Sequence, residues 1–580
     1  MNQPTQVQAL ADSRRPAGGL SIVSGPRHPE LSEQTIGRWL DHTAEALPGR
    51  TACVFRAENL RWSWVDLRDQ ADRLAGGLLR LGFKRGDRLG IWAPNRCEWI
   101  LAQYASARIG VILVNINPAY RLTELEYALN KVECRGIITA PGFKSGDYVA
   151  MLQALAPELS RSLPGVLSSA RLPHLRCVIR MGTERTPGMF GFGQVLAMGD
   201  EAAVMEARAL SNALMADDPI NIQFTSGTTG APKGATLTHR NIVNNAIYVA
   251  QAMGLGQDSR LCVPVPLYHC FGMVMGSLAC AVTGGAMVFP GEGFDAPATL
   301  EALDAERCTH LHGVPTMFIA MLDAPGFAAC DLASLRGGIM AGSPCPIEVM
   351  KRVVSEMHMR EVTIAYGMTE TSPVSFQSST DDPLELRVAT VGRVQPHLEV
   401  KIVDGDGRVV PVGVAGEVAT RGYSVMLGYW GDQERTVESI RDGWMHTGDL
   451  ATLDENGYCN IVGRVKDMLI RGGENVYPRE VEEFLFTHPA VAQAQVFGVP
   501  DSKYGEEVCA WIVLKPGVDA TEATAADIRA FCRDRIAHYK IPRYLRFVGE
   551  IPMTVTGKAQ KFIMREQMVA ELGLNEAASA

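Results

Sequence analysis

The sequence predicts an α/β protein: a large N-terminal body of two α/β lobes plus a β-rich subdomain, followed by a small α+β C-terminal domain. Three observations carry this expectation. Helical and strand-like patterns alternate from about residue 34 to 215 and again from about 217 to 375. From about 385 to 465 the pattern changes to short strands (EVKIVD, GEVATR, YCNIVG) separated by Gly and Asp turns. After Asp467 about 113 residues remain with helix and strand patterns of their own, and no low-complexity linker precedes them. The boundary near 466 therefore reads as a tight hinge. The expected division is 1–33 as a mobile N-terminal tail, 34–466 as the main body (34–215, 216–384, 385–466) and 467–580 as the C-terminal domain.

Residues 1–30 lack the roughly 7–15-residue apolar core of a signal peptide and read as a polar tail. Trp64–Leu81 has apolar residues at helical spacing and ends at Gly82; Arg88–Ala93 reads as a strand and Trp99–Ile109 as a helix. Val111–Val114 and Gly136–Thr139 are short apolar runs, as expected of strands buried on both faces. From Leu261 to Gly291 no Asp, Glu, Lys or Arg occurs, a length that passes the ~20-residue rule for a membrane span. Pro264, Pro266, His269 and Gly284–Gly285 break it instead into strand, polar-tipped turn, short helix, Gly-Gly turn and strand. No integral membrane segment is expected, and peripheral association stays open. In the C-terminal part Arg479–Thr487 and Thr524–Ala537 read as helices, and Val491–Val499, Val508–Leu514 and Arg543–Phe547 as strands.

The chain of 580 residues corresponds to roughly three to five domain-sized units. With 47% hydrophobic and 21% charged residues it is not a disordered protein. A net charge of −9 argues against a general nucleic-acid binder, while leaving room for an anionic ligand at one local site. Thirteen cysteines with no CxxC argue against a zinc ribbon or disulfide scaffold and suit the reducing cytoplasm.

The most informative segment is TSGTTGAPKGA, residues 225–235, directly after the strand-like Ile220–Phe224. It gathers the hydroxyls of Thr225, Ser226, Thr228 and Thr229 with Gly227, Gly230, Gly234 and Lys233. Glycines let backbone N–H groups approach an anion, hydroxyls donate to phosphate oxygens and the lysine adds charge. No Walker A spacing can be aligned here, and no G-x-S-x-G or H-E-x-x-H occurs. GEGFDA at 291–296 fits a relaxed dinucleotide fingerprint only weakly.

This loop resembles the phosphate loop of the acyl-adenylate-forming superfamily, which includes acyl-CoA synthetases, nonribosomal adenylation domains and luciferases. The resemblance runs from about residue 34 to 570, and further motifs follow in the family's order. YGMTE resembles its second core motif. By that resemblance Tyr366 and Gly367 border the adenine, Thr369 contacts the α-phosphate or the acyl carboxylate, and Glu370 ligates Mg²⁺ with Thr228 beside it. WMHTGDL supplies Asp449 and GRVKD supplies Arg464, both for the ribose, with Lys466 at the interdomain hinge. TGK near the C-terminus supplies Lys558, the adenylation lysine, whose charge would stabilise the oxygens at the α-phosphate. Gly342, Ser343 and Pro344 resemble the loop around the adenine and acyl pocket, and His269 the histidine at the mouth of the acid site. RGGENV, with Gly472, Gly473 and Glu474, would face the CoA pantetheine after domain rotation.

The activity implied is a two-step ligation using ATP, Mg²⁺ and CoA: a carboxylic acid is adenylated and then transferred to CoA. The segments expected to line the acyl site, including Val314, Met340 and Ala341, are apolar, Met-rich and free of Lys and Arg, which favours a fatty acid. An aryl- or branched-acid CoA ligase is the alternative, then a fatty acyl-AMP ligase loading a carrier protein. A non-enzymatic acid-binding protein would not need the loop, Glu370, Asp449 and Lys558 together. Residues 535–565 hold seven basic residues against Glu550, read as a patch for the CoA phosphates. A monomer or homodimer is expected, located in the cytoplasm.

Overall fold

The computed structural model describes residues 13–225, 232–343, 345–472, 474–501, 503–533, 535–554 and 557–574. Ser226, Gly227, Thr228, Thr229, Gly230, Pro344 and Gly473 lie outside the described residues.

Two large sheets form the first two lobes. An eight-stranded sheet runs in the order 190–191, 177–180, 136–139, 88–92, 112–115, 219–225, 233–238, 428–429. Its strands are parallel up to Pro219–Thr225, and the last two join antiparallel. A nine-stranded sheet runs 393–394, 374–377, 361–367, 337–341, 310–313, 260–262, 286–289, 51–55, 60–63. The third unit is the antiparallel sheet of Ile22–Ser24, Leu398–Val403, Gly416–Gly422, Trp444–Leu453, Ile440–Arg441 and Cys459–Arg464. The C-terminal five-stranded sheet is built from Leu469–Arg471, Glu474–Val476, Val491–Asp501, Gly505–Leu514 and Tyr544–Phe547.

Local sequence explains the elements. Helix Trp64–Arg80 starts on a Ser63–Asp66 capping box and buries Leu67, Ala71, Leu74, Ala75 and Leu78 at helical spacing. The charge-free stretch folds as strand Arg260–Cys262, helical turns from Cys270 to Thr283 and strand Ala286–Phe289, with a π-helical stretch at Met273–Leu278. Among the described residues no helix is long and apolar enough to cross a membrane. A buried cation ties the first helices together: Arg108, 0% exposed, donates to Asp72 at 2.7 Å, to Asp41 at 2.5 and 2.8 Å and to Gly37 O at 3.1 Å. Such a charge is tolerated only because each donor finds an acceptor.

Two sequence expectations need correction. Residues 13–33 are not a loose tail. Ile22–Ser24 pairs with Leu398–Val403, Val23 is buried, and Ser32 exchanges hydrogen bonds with Asn244. The segment is polar because one face of an edge strand meets water. The division near residue 215 also does not follow the sheets. The strands at 219–225 and 233–238 complete the first lobe's sheet, whereas Thr51–Phe55 and Leu60–Ser63 lie in the second lobe's sheet. Sheet membership follows hydrogen-bond pairing, which sequence order does not report. One hydrophobic core reaches from Val23 to Cys459; two smaller ones lie beyond, within 469–532 and 497–568.

Candidate active site

The loop 225–235 spans a hairpin mouth. Strands Pro219–Thr225 and Lys233–Thr238 are antiparallel, and Thr225 stands opposite Lys233. The two ends of the loop are thus held by a ladder.

Glu370 lies in a short 3-10 turn, Thr369–Thr371, after strand Glu361–Gly367. It is 5% exposed, and its Oε1 accepts from Thr225 Oγ1 at 3.1 Å and from the Tyr429 hydroxyl at 2.9 Å. Among the described residues both side-chain hydrogen bonds fall on Oε1. A carboxylate steered by one oxygen, with the Thr225 hydroxyl beside it, fits Mg²⁺, which takes hard oxygen ligands from one or two carboxylates plus phosphates. Thr369 is buried beside the Cys270 thiol.

Asp449 and Arg464 face each other on antiparallel strands Trp444–Leu453 and Cys459–Arg464, with Arg464 Nε 3.1 Å from Asp449 Oδ1. The Tyr366 hydroxyl donates to Asp449 Oδ2 at 2.7 Å. Burial and the Asp449 charge push the Tyr366 hydroxyl well above its ordinary range, so it stays a donor. The Asp449 charge likewise holds the Arg464 guanidinium protonated more firmly than usual. Glu417 supports this edge by accepting from Gly448 N at 3.0 Å and meeting His446 Nδ1 at 2.8 Å, while Thr447 Oγ1 accepts from Asp449 N at 3.1 Å.

Lys558 arrives from the C-terminal domain. Its side chain is exposed, and the charges of Arg464, Asp449 and Glu370 act on its ammonium. Crowding by protein and then the Arg464 charge lower its pKa from that of a free lysine. The turn that delivers it needs glycine. Gly557 has φ +76°, and a Cβ there would lie 2.9 Å from Val314 Cγ2. Val314 also meets Gly342, where a Cβ would lie 3.0 Å from Val314 Cγ1. Val314, Met340 and Ala341 are buried, and Ser343 follows them at the end of strand Gly337–Ala341.

His269 caps the turn Cys270–Gly272, its Nδ1 accepting from Phe271 N at 3.3 Å, which places its proton on Nε2. Burial and then the Lys558 charge push its pKa down to about 3, so it is neutral at pH 7.

Lys466 lies in the turn between Cys459–Arg464 and Leu469–Arg471. Gly472 donates from its N–H to Tyr504 O at 2.9 Å, and Glu474 begins the strand after it. Both are held within the C-terminal sheet, anchored by the Arg471–Glu507 ion pair with Arg471 over the Tyr504 ring at 4.4 Å.

The basic patch expected from residues 535–565 is a correction. Lys540 pairs with Glu480 at 2.5 Å, Arg543 with Asp501 at 3.1 Å, Arg546 with Glu571 at 2.9 Å and Lys561 with Glu482 at 2.7 Å. Arg535 lies over the Phe531 ring. The acidic partners come from outside the window, so counting charge along the chain overstated the local field. Sequence reasoning also missed Tyr429, Thr447 and Glu417. The only signal for Tyr429 was an aromatic after Gly428 in LGYW.

The family description "AMP-binding enzyme" matches residues 40–430, and "AMP-binding enzyme C-terminal domain" matches residues 480–558. The chain belongs to the AMP-binding enzyme family. This AMP-binding enzyme is 48% identical over 558 residues to a mitochondrial medium-chain acyl-CoA ligase of Danio rerio, covering 96% of this chain and 91% of that one. It is 46% identical over 566 residues to the Bos taurus protein of the same name, with the same coverage. Among solved structures it resembles the anthranilate CoA ligase AuaEII in complex with anthranoyl-AMP (TM-score 0.83, 26% identity, 93% of this chain and 98% of that one). It also resembles ATP-bound MatB from Rhodopseudomonas palustris (TM-score 0.78, 28% identity, 92% and 98%). The family and these likenesses place this AMP-binding enzyme in the acyl-CoA synthetase branch.

Proposed function

We propose that the protein is a fatty acid–CoA ligase that works through an acyl-adenylate. In the first step a carboxylate oxygen of the acid bonds to the α-phosphorus of ATP, the bond from that phosphorus to the bridging oxygen breaks, and pyrophosphate leaves. In the second step the CoA thiolate sulfur bonds to the acyl carbon, and AMP leaves with the electron pair of the C–O bond.

The observation that carries this reading is the packing of the Gly557–Lys558 turn of the C-terminal domain against Val314 of the main body, where the charges of Arg464, Asp449 and Glu370 act on Lys558 and that of Lys558 acts on His269. A cation between the attacking carboxylate and the α-phosphate stabilises charge that builds on both in the transition state. In this reading Asp449 and Arg464 hold the ribose, Tyr366 and Gly367 border the adenine with Gly342, Ser343 and Pro344, and Thr369 addresses the α-phosphate or the acyl carboxylate. Residues 225–230 and Lys233 cradle the phosphates. Glu370 and Thr228 would hold Mg²⁺, which neutralises phosphate charge when bound. His269, neutral and at the mouth of the acid site, contributes a polar N–H without a competing charge.

The proposed division is a main body to residue 466 and a C-terminal domain from 467, turning at Lys466. Lys558 serves only the first step, and rotation would bring Gly472, Gly473 and Glu474 to the pantetheine of CoA. Val314, Met340 and Ala341 line the acyl site, and the lack of Lys and Arg in segments 265–275, 312–317, 339–342 and 368–373 supports a fatty acid, in keeping with the medium-chain ligase names of the relatives. Thirteen cysteines, all unpaired, suit a reducing compartment.

The deciding experiment is AMP release over a panel of acids from acetate to palmitate plus benzoate, with and without CoA. CoA-dependent AMP release greatest on fatty acids is expected. Greater activity on benzoate than on octanoate would overturn the fatty-acid reading, and AMP release indifferent to CoA would overturn the ligase.

A further inference from the structure

Tyr429 touches two of the proposed ATP-site residues at once. Its hydroxyl donates to Glu370 Oε1 at 2.9 Å, and the Lys233 ammonium lies over its ring, 4.9 Å from the centroid. Glu370 follows strand Glu361–Gly367 of the second lobe, and Lys233 opens a strand of the first. Tyr429 therefore bridges the two sheets at the point where the phosphate loop meets the carboxylate.

The backbone leaves the side chain little freedom to be elsewhere. Strand Gly428–Tyr429 pairs antiparallel with Lys233–Thr238, Tyr429 opposite Ala235. On either side Trp430 N donates to Gly234 O at 2.8 Å and Leu427 N to Thr236 O at 3.0 Å. Met426 N donates to the Glu370 carbonyl at 2.9 Å, and Tyr429 N to Thr436 Oγ1 at 2.9 Å. Residues 426–430 thus clamp the backbone of Glu370 and of the strand that carries Lys233. The tyrosine side chain then addresses the two functional ends of those residues. Tyr429 is itself buried.

The two contacts use different parts of one side chain. The hydroxyl shares Oε1 with Thr225, so among the described residues neither side-chain hydrogen bond falls on Oε2. The ring face attracts the Lys233 ammonium by its quadrupole, an interaction that strengthens as water is excluded. We propose that Tyr429 is a positioning residue for the triphosphate site: its hydroxyl orients Glu370 for the divalent cation, and its ring holds the Lys233 ammonium in place for the phosphates. The proposal rests on the ATP-site reading above.

The two roles can be separated by substitution. Tyr429→Phe keeps the ring and removes the hydroxyl; Tyr429→Leu removes both. For Tyr429→Phe the Mg²⁺ concentration giving half-maximal acyl-AMP formation is expected to rise ~10-fold, with the KM for ATP at saturating Mg²⁺ within about twofold of wild type. For Tyr429→Leu both are expected to rise. Independently of turnover, Mn²⁺ binding in the presence of a non-hydrolysable ATP analogue, read by electron paramagnetic resonance, should weaken in Tyr429→Phe. Unchanged Mg²⁺ dependence and Mn²⁺ binding in Tyr429→Phe would overturn the orienting role. Equal KM values for ATP in the Phe and Leu variants would overturn the ring's role. Thermal melting shows whether each variant folds; should Tyr429→Leu unfold, Tyr429→Met, which fills more of the space without a ring, tests the ring contact by the same KM. Wild-type protein that forms no acyl-AMP with any acid would instead overturn the ATP-site reading itself.

Discussion

Asp449 and Arg464 stand directly opposite each other on neighbouring antiparallel strands, and the carboxylate is held from both sides: Arg464 Nε at 3.1 Å on Oδ1 and the Tyr366 hydroxyl at 2.7 Å on Oδ2. The two donors fix the rotation of the carboxylate before any nucleotide arrives. Asp449→Asn replaces one acceptor oxygen by an amide donor that opposes Arg464. With charge-assisted hydrogen bonds worth about 1.5–3 kcal/mol, the KM for ATP should rise ~10–100-fold. Tyr366→Phe removes one neutral donor, and a rise of only ~2–10-fold is expected. Steady-state kinetics on ATP at saturating acid distinguish the two, and equal effects would contradict the ranking.

The packing of Gly557 on Val314 predicts a compensating pair. Gly557→Ala adds a Cβ at a φ of +76° and 2.9 Å from Val314 Cγ2, which must shift the turn that carries Lys558. Acyl-AMP formation should fall at least ~10-fold while the melting temperature changes little, because a 1 Å misplacement of a reacting group is enough. Val314→Ala in the same chain relieves the steric part and should recover a portion of the rate. A double variant no better than Gly557→Ala would assign the loss to backbone strain alone.

Lys558→Ala should lower ATP-dependent adenylate formation by ~10²–10³-fold yet largely spare thioester formation from supplied acyl-AMP. Lys466→Pro should do the reverse if the main chain turns there. The lysine acts as a cation, and its pKa lies below the free value of 10.5 because protein crowds it and Arg464 repels it. Adenylation should therefore decline as pH rises through a value lower than that of a free lysine. Lys558→Arg, which keeps its charge, should show no such decline. An alkaline limb that persists unchanged in Lys558→Arg would assign it to another group.

Besides His269, three buried histidines set an acid limit on the fold. Burial pushes His239 and His310 down to about 3 and His312 to about 4. All three are neutral in the folded chain near pH 6, whereas the unfolded chain takes up protons below about 6.5. Stability is thus full above about pH 6.5 and declines as pH falls from there toward 4, by up to about 1.4 kcal/mol per pH unit for each histidine. Denaturant midpoints measured from pH 7 to 4.5 should show this slope, and His312→Phe should reduce it. A slope the same in His312→Phe as in wild type would remove His312 from the account.

Much of the local structure was legible in the sequence. Helix Trp64–Arg80 declared itself by apolar spacing and a terminal glycine, and the charge-free stretch 261–291 by the prolines and glycines that divide it. Both signals are local, carried by residues within a turn or two of one another. The exchange of strands between the lobes was not legible, because pairing between Thr51–Phe55 and Ala286–Phe289 joins residues more than two hundred positions apart without a spacing that marks them. The burial of Val23 on an edge strand was hidden for the same reason.

The candidate site divides along the same line. Glu370, Asp449, Arg464 and Lys558 are legible because they stand in short motifs that resemble the family's, in the family's order; by residue type alone Lys558 is indistinguishable from Lys561. Tyr429 stands in none of these motifs. It matters because folding brings its hydroxyl to Glu370 and its ring to Lys233. Four of the seven basic residues of 535–565 (Lys540, Arg543, Arg546 and Lys561) fail in the opposite sense, since folding brings Glu480, Asp501, Glu571 and Glu482 to pair with them. The sequence by itself thus determined the α/β class, the family and the residue types of the site. Only the tertiary structure decided which charges stay free, which hydroxyl orients which carboxylate, and which strands share a sheet. The reason is physical: electrostatic and hydrogen-bond energies depend on distance in space, and distance along the chain is a poor measure of it.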